Sequence, residues 1–156
     1  MEAGPITGQQ TAAWDAFVED SPQGSLFATS VWGRIMERAF GHPFRIISVT
    51  GSGKIIGGTA FIEKRQIGTR CALHPLATPH IGFLLERPSG AKLSDATSNA
   101  HLALKAMASC LEKNYSHIQL VCAPELEDVR PLLQSGWIAE PRYSYRLDLT
   151  DTEALW

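Results

Sequence analysis

The chain has 156 residues, 44% of them hydrophobic and 19% charged, with a formal net charge of −2. That length suits one domain that buries its own core, no apolar run approaches the roughly 18 residues needed to cross a bilayer, and the near-neutral balance carries no block of like charge of the kind a DNA-binding or anionic-membrane surface needs. Cys71, Cys110 and Cys122 form neither a CxxC pair nor an even disulfide set, and the start Met-Glu-Ala-Gly-Pro lacks the basic and apolar regions of a secretory signal, so the expected compartment is the cytoplasm.

Trp14, Phe17 and Val18 recur at helical spacing and predict a short amphipathic helix that ends at the turn Ser21-Pro-Gln-Gly24. A second helix is expected over residues 30–40: Thr29 or Ser30 caps it, Val31, Trp32, Ile35, Met36, Ala39 and Phe40 form its apolar stripe, and Gly41 ends it. The period then changes. Residues 44–50 and 54–63 read as a hairpin joined at Gly51-Ser-Gly-Lys54, and Gly57-Gly58 inside the return strand suggests a bulge or a close backbone approach. Two further strands are predicted around Thr69 to Leu73 and Ile81 to Leu85, with Pro75 and Pro79 keeping the segment between them out of the ladder. Ser94 or Asp95 is expected to cap the longest helix, whose stripe runs through Ala100, Ala103, Leu104, Met107, Ala108 and Leu111. A strand over residues 116–122 follows, then a short helix capped by Asp128 with Pro131 in its first turn and closed by Gly136, then a final strand from Trp137 to Leu149.

The predicted order, two helices, a four-strand meander, a long helix, a strand, a short helix and a strand, resembles the GNAT acyltransferase fold, an α+β arrangement with a mixed, largely antiparallel sheet flanked by helices. The local residues resemble more narrowly the N-terminal half of Fem-type proteins, which are aminoacyl and acyl transferases built from two GNAT-like halves. The resemblance rests on Trp14-Asp-Ala-Phe17, Ser21-Pro-Gln-Gly-Ser-Leu-Phe27, a Trp32 helix ending in Ala39-Phe-Gly41, Ile56-Gly-Gly-Thr59 and Pro141-Arg-Tyr-Ser-Tyr-Arg-Leu-Asp-Leu149. It implies that residues 1–150 are a single GNAT-like domain and that residues 151–156, Asp-Thr-Glu-Ala-Leu-Trp, open a helix leading to a second half. Those six residues carry capping signals at Asp151 or Thr152 and an apolar face at Leu155 and Trp156, yet a helix needs about 12 residues to be marginally stable alone.

The resemblance also suggests a site. Pro75-Leu-Ala-Thr-Pro-His-Ile-Gly82 is similar to the family's proline-rich segment near the acceptor, with His80 where the family usually has Tyr. It implies acceptor contacts from Thr78 or His80 and a close backbone approach at Gly82, with Trp32, Tyr143 and Tyr145 as candidate aromatic walls. Equally, the loop reads as a proline-stiffened connection whose polar groups satisfy local backbone, and the aromatics as core. In single-domain members a loop before the long helix binds the pyrophosphate of acyl-CoA, and Arg87-Pro-Ser-Gly90-Ala-Lys92 stands in that place. It keeps Arg87 and Gly90 as candidate cofactor contacts, but Pro88 removes a donor and Lys92 replaces a small residue.

Other motifs narrow the chemistry. Gly51-Ser-Gly-Lys54 fails as a phosphate loop because Ser48 stands at the first glycine position and Ile55 replaces the magnesium-binding hydroxyl. His42, His74, His80, His101 and His117 show no metal-ligand spacing, and no Gly-x-Ser-x-Gly elbow is present. Glu63, Glu86 and His80 near strand ends are the candidate bases.

The reading that results is half of a Fem-like acyl or aminoacyl transferase, forming part of the cleft for an amine-bearing small-molecule or peptide acceptor and inactive alone. The donor would be acyl-CoA or aminoacyl-tRNA, and the partner a C-terminal GNAT half or a second chain. Two alternatives remain open: a non-catalytic assembly module, which could homodimerise through an apolar edge near residues 137–156, and a free-standing acyl-CoA-dependent N-acetyltransferase.

Overall fold

Branched residues on both sides of a Ser-Gly turn dictate the centre of the fold. In the computed structural model, which describes residues 1–66, 68–88, 92–143 and 145, strands β2 (Phe44–Gly51) and β3 (Lys54–Gln66) form the expected hairpin. Its two-residue turn has positive φ at both Ser52 (50°) and Gly53 (78°), the pair of left-handed residues that matches strand twist. Register slips between Val49 and Thr50, which face Gly57 and Ile55 and leave Ile56 as the bulged residue.

Around this hairpin lie β1 (Glu2–Pro5), β4 (Thr69–Leu73), β5 (Phe83–Leu85) and β6 (His117–Gln119), with helices α1 (Thr11–Asp20), α2 (Ser30–Phe40), α3 (Leu93–Asn114) and α4 (Arg130–Gln134). The strand order is β1-β2-β3-β4-β6, and β5 pairs β3 beside β4. β3 therefore serves two antiparallel partners along its length: Gly57 to Thr59 pair with β5, and Ile62 to Gln66 pair with β4. Residues 74–82, between those partners, leave the ladder as Pro75 and Pro79 require. β4 and β6 are the one parallel pair in the described sheet, joined through β5 and α3. This is the GNAT-like α+β fold expected from the element order, and no helix of the described residues is long and apolar enough to cross a membrane.

Both faces of the sheet are buried, and neighbouring residues point to opposite faces with the strand period of two. Ile47, Phe61 and Phe83 pack with Leu104, Met107 and Leu111 of α3, while Ile46, Ala60 and Leu84 pack with Trp14 and Val18 of α1. The glycine pair of β3 makes both approaches possible. A Cβ on Gly57 would lie 3.3 Å from that of Ala103, and one on Gly58 would lie 2.2 Å from Trp14 Cζ3. Trp14 is fully buried there, and its indole N–H donates to Ala28 O at 2.9 Å.

Six expectations need correction. Of the predicted α2 stripe, Val31, Ile35 and Phe40 are exposed, and the residues that the helix buries are Ser30, Gly33 and Met36. Val129 and not Asp128 stands at the N-cap position of α4, with no side-chain cap, and the Asp128 carboxylate accepts the Arg130 N–H at 3.1 Å and pairs with its guanidinium. β1 has no counterpart among the predicted strands, because Glu-Ala-Gly-Pro has little strand propensity; it pairs because the exposed β2 edge supplies the partner, and Pro5 is tolerated on an edge strand. Neither Ser94 nor Asp95 caps α3, which starts at least two residues earlier with Lys92 at the N-cap position and no side-chain cap, although Asp95 sits in the first turn where the helix dipole favours it. β6 stops at Gln119 because Val121 O instead accepts the N–H groups of Ile81 and Gly82, both at 2.9 Å. Residues 137–143 form no strand: the Trp137 N–H turns back to Leu132 O at 3.1 Å and its ring packs on Phe83 at 5.6 Å. The rest of that predicted strand, residues 144 and 146–149, and the predicted helix start at 151–156 lie outside the described residues.

Gly58→Ala should cost about 1–3 kcal/mol, since Trp14 has no room to retreat. Gly8→Ala, with open space around the added methyl group, should stay within about 0.5 kcal/mol. Urea unfolding followed by tryptophan fluorescence compares the two.

Candidate functional site

The first turn of α2 is fixed from two sides. Thr29 Oγ1 accepts the Trp32 N–H at 3.3 Å, and the Asp15 carboxylate accepts the Ser30 N–H at 2.7 Å and the Ser30 hydroxyl at 2.6 Å. The Trp32 indole is thereby aimed at the loop after β4, where its N–H donates to Thr78 Oγ1 at 3.1 Å. The Thr78 hydroxyl, buried, passes its own proton toward Leu76 O at 3.2 Å. Between them Ala77 adopts φ of 53°, a left-handed conformation uncommon outside glycine that the surrounding bonds hold in place.

Phe27 joins the remaining aromatic groups, edge-on to Trp32 at 5.1 Å and to His80 at 6.2 Å between ring centroids. Trp32, Thr78 and His80 thus form one cluster, with Phe27 as a member that the sequence pattern contains but does not single out. Gly82 lies at its edge, and the close approach it permits is to Cys122: an added Cβ would sit 2.5 Å from the sulfur and 2.8 Å from Cα. Burial pushes the Cys122 thiol up, so it behaves as a small core group and not as a nucleophile. Tyr143 is 92% exposed, Tyr145 is 96% exposed, and among the described residues neither makes a hydrogen bond or ring contact with the cluster.

His74, half-buried at the base of the loop, is another residue that the sequence does not mark. Its Nε2 lies 2.6 Å from Thr78 O, which makes Nε2 the protonated nitrogen and Nδ1 the bearer of the lone pair. Nδ1 is buried with no partner among the described residues. Burial, outweighing the Thr78 carbonyl, holds the ring below its ordinary pKa, with the charges of Arg142 and His80 acting in the same direction. His74 is therefore a neutral prop for the loop at pH 7.

Of the candidate bases, only His80 reaches this cluster. Glu86 is exposed, and Glu63 is buried among Arg70, Tyr115 and Arg45. The hydrogen bond from Arg70 above all holds the Glu63 carboxyl below the usual range, which makes it a poor proton acceptor.

Arg87 stands apart from the cluster, before α3. Its Nε–H donates to Asp20 O at 3.2 Å and lies 3.8 Å from the Asp20 carboxylate, with the side chain 59% exposed. Together with Gln23, Pro88 and Asn99 it helps to wall a cleft of about 310 Å³; Gly90 lies outside the described residues. Gln23 is the third residue without a sequence signal. Its carboxamide acts as a peptide group in a strand edge: Oε1 accepts the Leu85 N–H at 2.9 Å and Nε2 donates to Glu125 O at 3.0 Å, while the Ser21 hydroxyl donates to Leu85 O at 2.9 Å. Sequence alone offers only a turn residue between Pro22 and Gly24.

No protein-family model and no curated protein matches the chain. Among solved structures it is similar to TTHA1254 from Thermus thermophilus, with a TM-score of 0.50 at 15% identity over 96% of this chain and 98% of that one. It is also similar to a transcriptional regulator from Bacillus halodurans, with a TM-score of 0.50 at 13% identity over 94% and 98%. These likenesses bear on the fold. A match to FemX has a TM-score of 0.47 at 21% identity, covering 72% of this chain and 24% of FemX, so the chain spans about a quarter of that structure.

Two variants test the local account. An unfolded His74 titrates near its ordinary value of 6.5 while the folded ring resists protonation, so unfolding takes up a proton and the contribution of His74 is lost as pH falls from 6.5 toward the lowered value. The His74→Gln variant, which keeps an N–H for Thr78 O, should show a smaller loss of unfolding free energy across that window. Gln23→Leu should cost about 1–3 kcal/mol at any pH by stranding the Leu85 N–H and the Glu125 carbonyl.

Proposed function

We infer that this GNAT-fold domain is one half of a Fem-like acyl or aminoacyl transferase, that it forms part of an acceptor cleft, and that it transfers nothing alone. The observation that carries this reading is the tether of the residue 74–82 loop to α2 through Trp32 and Thr78, which sets Trp32, Phe27 and His80 in one polar and aromatic wall. Such a wall suits an amine-bearing acceptor, because aromatic faces attract a cationic group and an imidazole accepts a proton. In the reaction the amine lone pair attacks a thioester or aminoacyl ester carbonyl, the C–N bond forms, the C–S or C–O bond breaks, and the ammonium proton passes to His80 or to water. Positioning supplies most of the acceleration in such a step.

The donor side of this chain supports dependence on another half. Ser21 and Gln23 already take the edge groups of Leu85, and the loop after Arg87 contains Pro88, which has no N–H to offer an anion. Acyl-CoA or aminoacyl-tRNA would then be held chiefly by a second GNAT half or a second chain. A second reading, an assembly module, is favoured by the exposure of Ile138 (90%), Tyr143 (92%) and Tyr145 (96%) in one segment. It calls for concentration-dependent dimers in light scattering, and a strict monomer counts against it.

The purified chain should show no acyl transfer from acetyl-CoA or aminoacyl-tRNA to amine acceptors; turnover by the isolated domain would sink the reading. Joined to a second GNAT half it should gain activity, and His80→Gln in that protein should lower kcat by about 10²-fold or more, with melting unchanged.

A further inference from the structure

A second site lies where β2 and β4 begin and α3 ends. There a cleft of about 420 Å³ is lined by Arg34 of α2, Arg45 of β2 and Arg70 of β4, and by none of Trp32, Thr78, His80, Gly82 or Tyr143. Three donors converge on one oxygen, Glu63 Oε2: Arg70 Nη2 at 2.8 Å, the Tyr115 hydroxyl at 3.1 Å and Arg45 Nε at 3.4 Å. Glu63 is buried and does not line the cleft, so it acts from beneath to hold two guanidinium groups side by side against their mutual repulsion. The Arg70 guanidinium is also fixed over the Tyr115 ring, 4.8 Å from its centroid.

What this bracing leaves over is donor capacity and charge. Arg70 Nε is buried with no acceptor among the described residues and is out of a ligand's reach, but the Arg70 side chain is 42% accessible and its bonds to Glu63 and Tyr115 come from Nη2, which leaves Nη1 to donate. Arg34 has one hydrogen bond, to Ser30 Oγ at 3.4 Å, and no ion pair among the described residues. Two carboxylates face the three guanidinium groups: Glu63 below, and Glu37, which accepts the Phe44 N–H at 2.7 Å. Asp15, which accepts the Ser30 hydroxyl on which Arg34 rests, is a third carboxylate nearby, but like Glu63 it does not line the cleft, so Glu37 is the one carboxylate among the described lining residues. The other walls are apolar, with Ile6, Phe44 and Ile47 among them.

We propose that this cleft binds a small organic oxyanion, a carboxylate or phosphate monoester with an apolar group attached, held by Arg45 and Arg70 with Arg34 at the rim. Paired guanidinium groups match the spacing of two oxygens on one anion, and the apolar walls take the attached group. The site is independent of the acceptor wall and of any transferase activity.

Isothermal titration with phenyl phosphate and with phenylacetate, on the protein as it stands, tests this. Saturable binding of at least one probe below about 10 mM is expected, weakened by added salt and at least tenfold weaker in Arg45→Gln. Arg45 is half exposed, with 49% of its side chain accessible, and Glu63 keeps Arg70, so this variant should melt like the wild type. Preference for phenyl phosphate assigns the ligand to phosphate monoesters, and preference for phenylacetate assigns it to carboxylates. No saturable binding of either probe, or equal affinity in wild type and Arg45→Gln, overturns the proposal.

Discussion

The seat of Trp14 against Gly58 is the contact on which the rest of the site depends. A fully buried tryptophan contributes about 3–5 kcal/mol relative to alanine, and here it also fixes a position, because its indole N–H is bound to Ala28 O. That bond anchors the chain between α1 and α2. Upstream of the anchor, Ser21 and Gln23 reach Leu85 and Phe27 reaches His80; downstream, Trp32 reaches Thr78. One large side chain therefore sets the location of two separate groups of polar contacts. The space it needs exists because β3 has no side chain at residue 58.

The division of β3 between β4 and β5 has a similar reach. A strand that changes partner partway must let the intervening chain leave the sheet, and residues 74–82 leave it here. Once outside, their backbone groups need other partners. Val121 O takes two of the N–H groups, His74 takes Thr78 O, and the Thr78 hydroxyl takes Leu76 O. The loop is thus rigid through its own bonding, which is the condition for presenting His80 and Trp32 at a fixed separation.

How legible the structure is in the sequence follows from the range of each interaction. The bounds of α2 can be read from the sequence, since a cap at Thr29 or Ser30 and the Gly41 stop with φ of 69° are local, but its buried face cannot: Val31, Ile35 and Phe40 of the predicted stripe are exposed, and the buried residues are Ser30, Gly33 and Met36. The glycine pair of β3 reads as a bulge or a close approach, and both occur, one residue apart. β1 is not legible, because its pairing is dictated by a partner more than 40 residues away and not by its own composition. Trp137 looks like the start of a strand, whereas the Gly136 turn at φ of 89° directs it onto Phe83. Residue types at the candidate site are legible as chemistry, but the bond between Trp32 and Thr78 spans 46 positions and the reach of Gln23 to Glu125 spans 102. No local pattern encodes such pairings.

Gln23 also constrains how a ligand is recognised near α3. An extended ligand pairing with the edge of β5 would have to displace a carboxamide and a hydroxyl that already satisfy Leu85 N–H and C=O. Each bond it made would replace one of equal kind, and exchanges of this sort are worth about 0.5–1.5 kcal/mol at most and near zero when the bonds balance. Backbone pairing therefore supplies little net affinity at that edge. Binding there would have to come from charge, through Arg87, or from aromatic surface. Among the described residues no aromatic side chain lines the cleft beside Gln23 and Arg87; Phe27, Trp32 and His80 are gathered at the residue 74–82 loop instead, which leaves charge as the main source of affinity at the β5 edge.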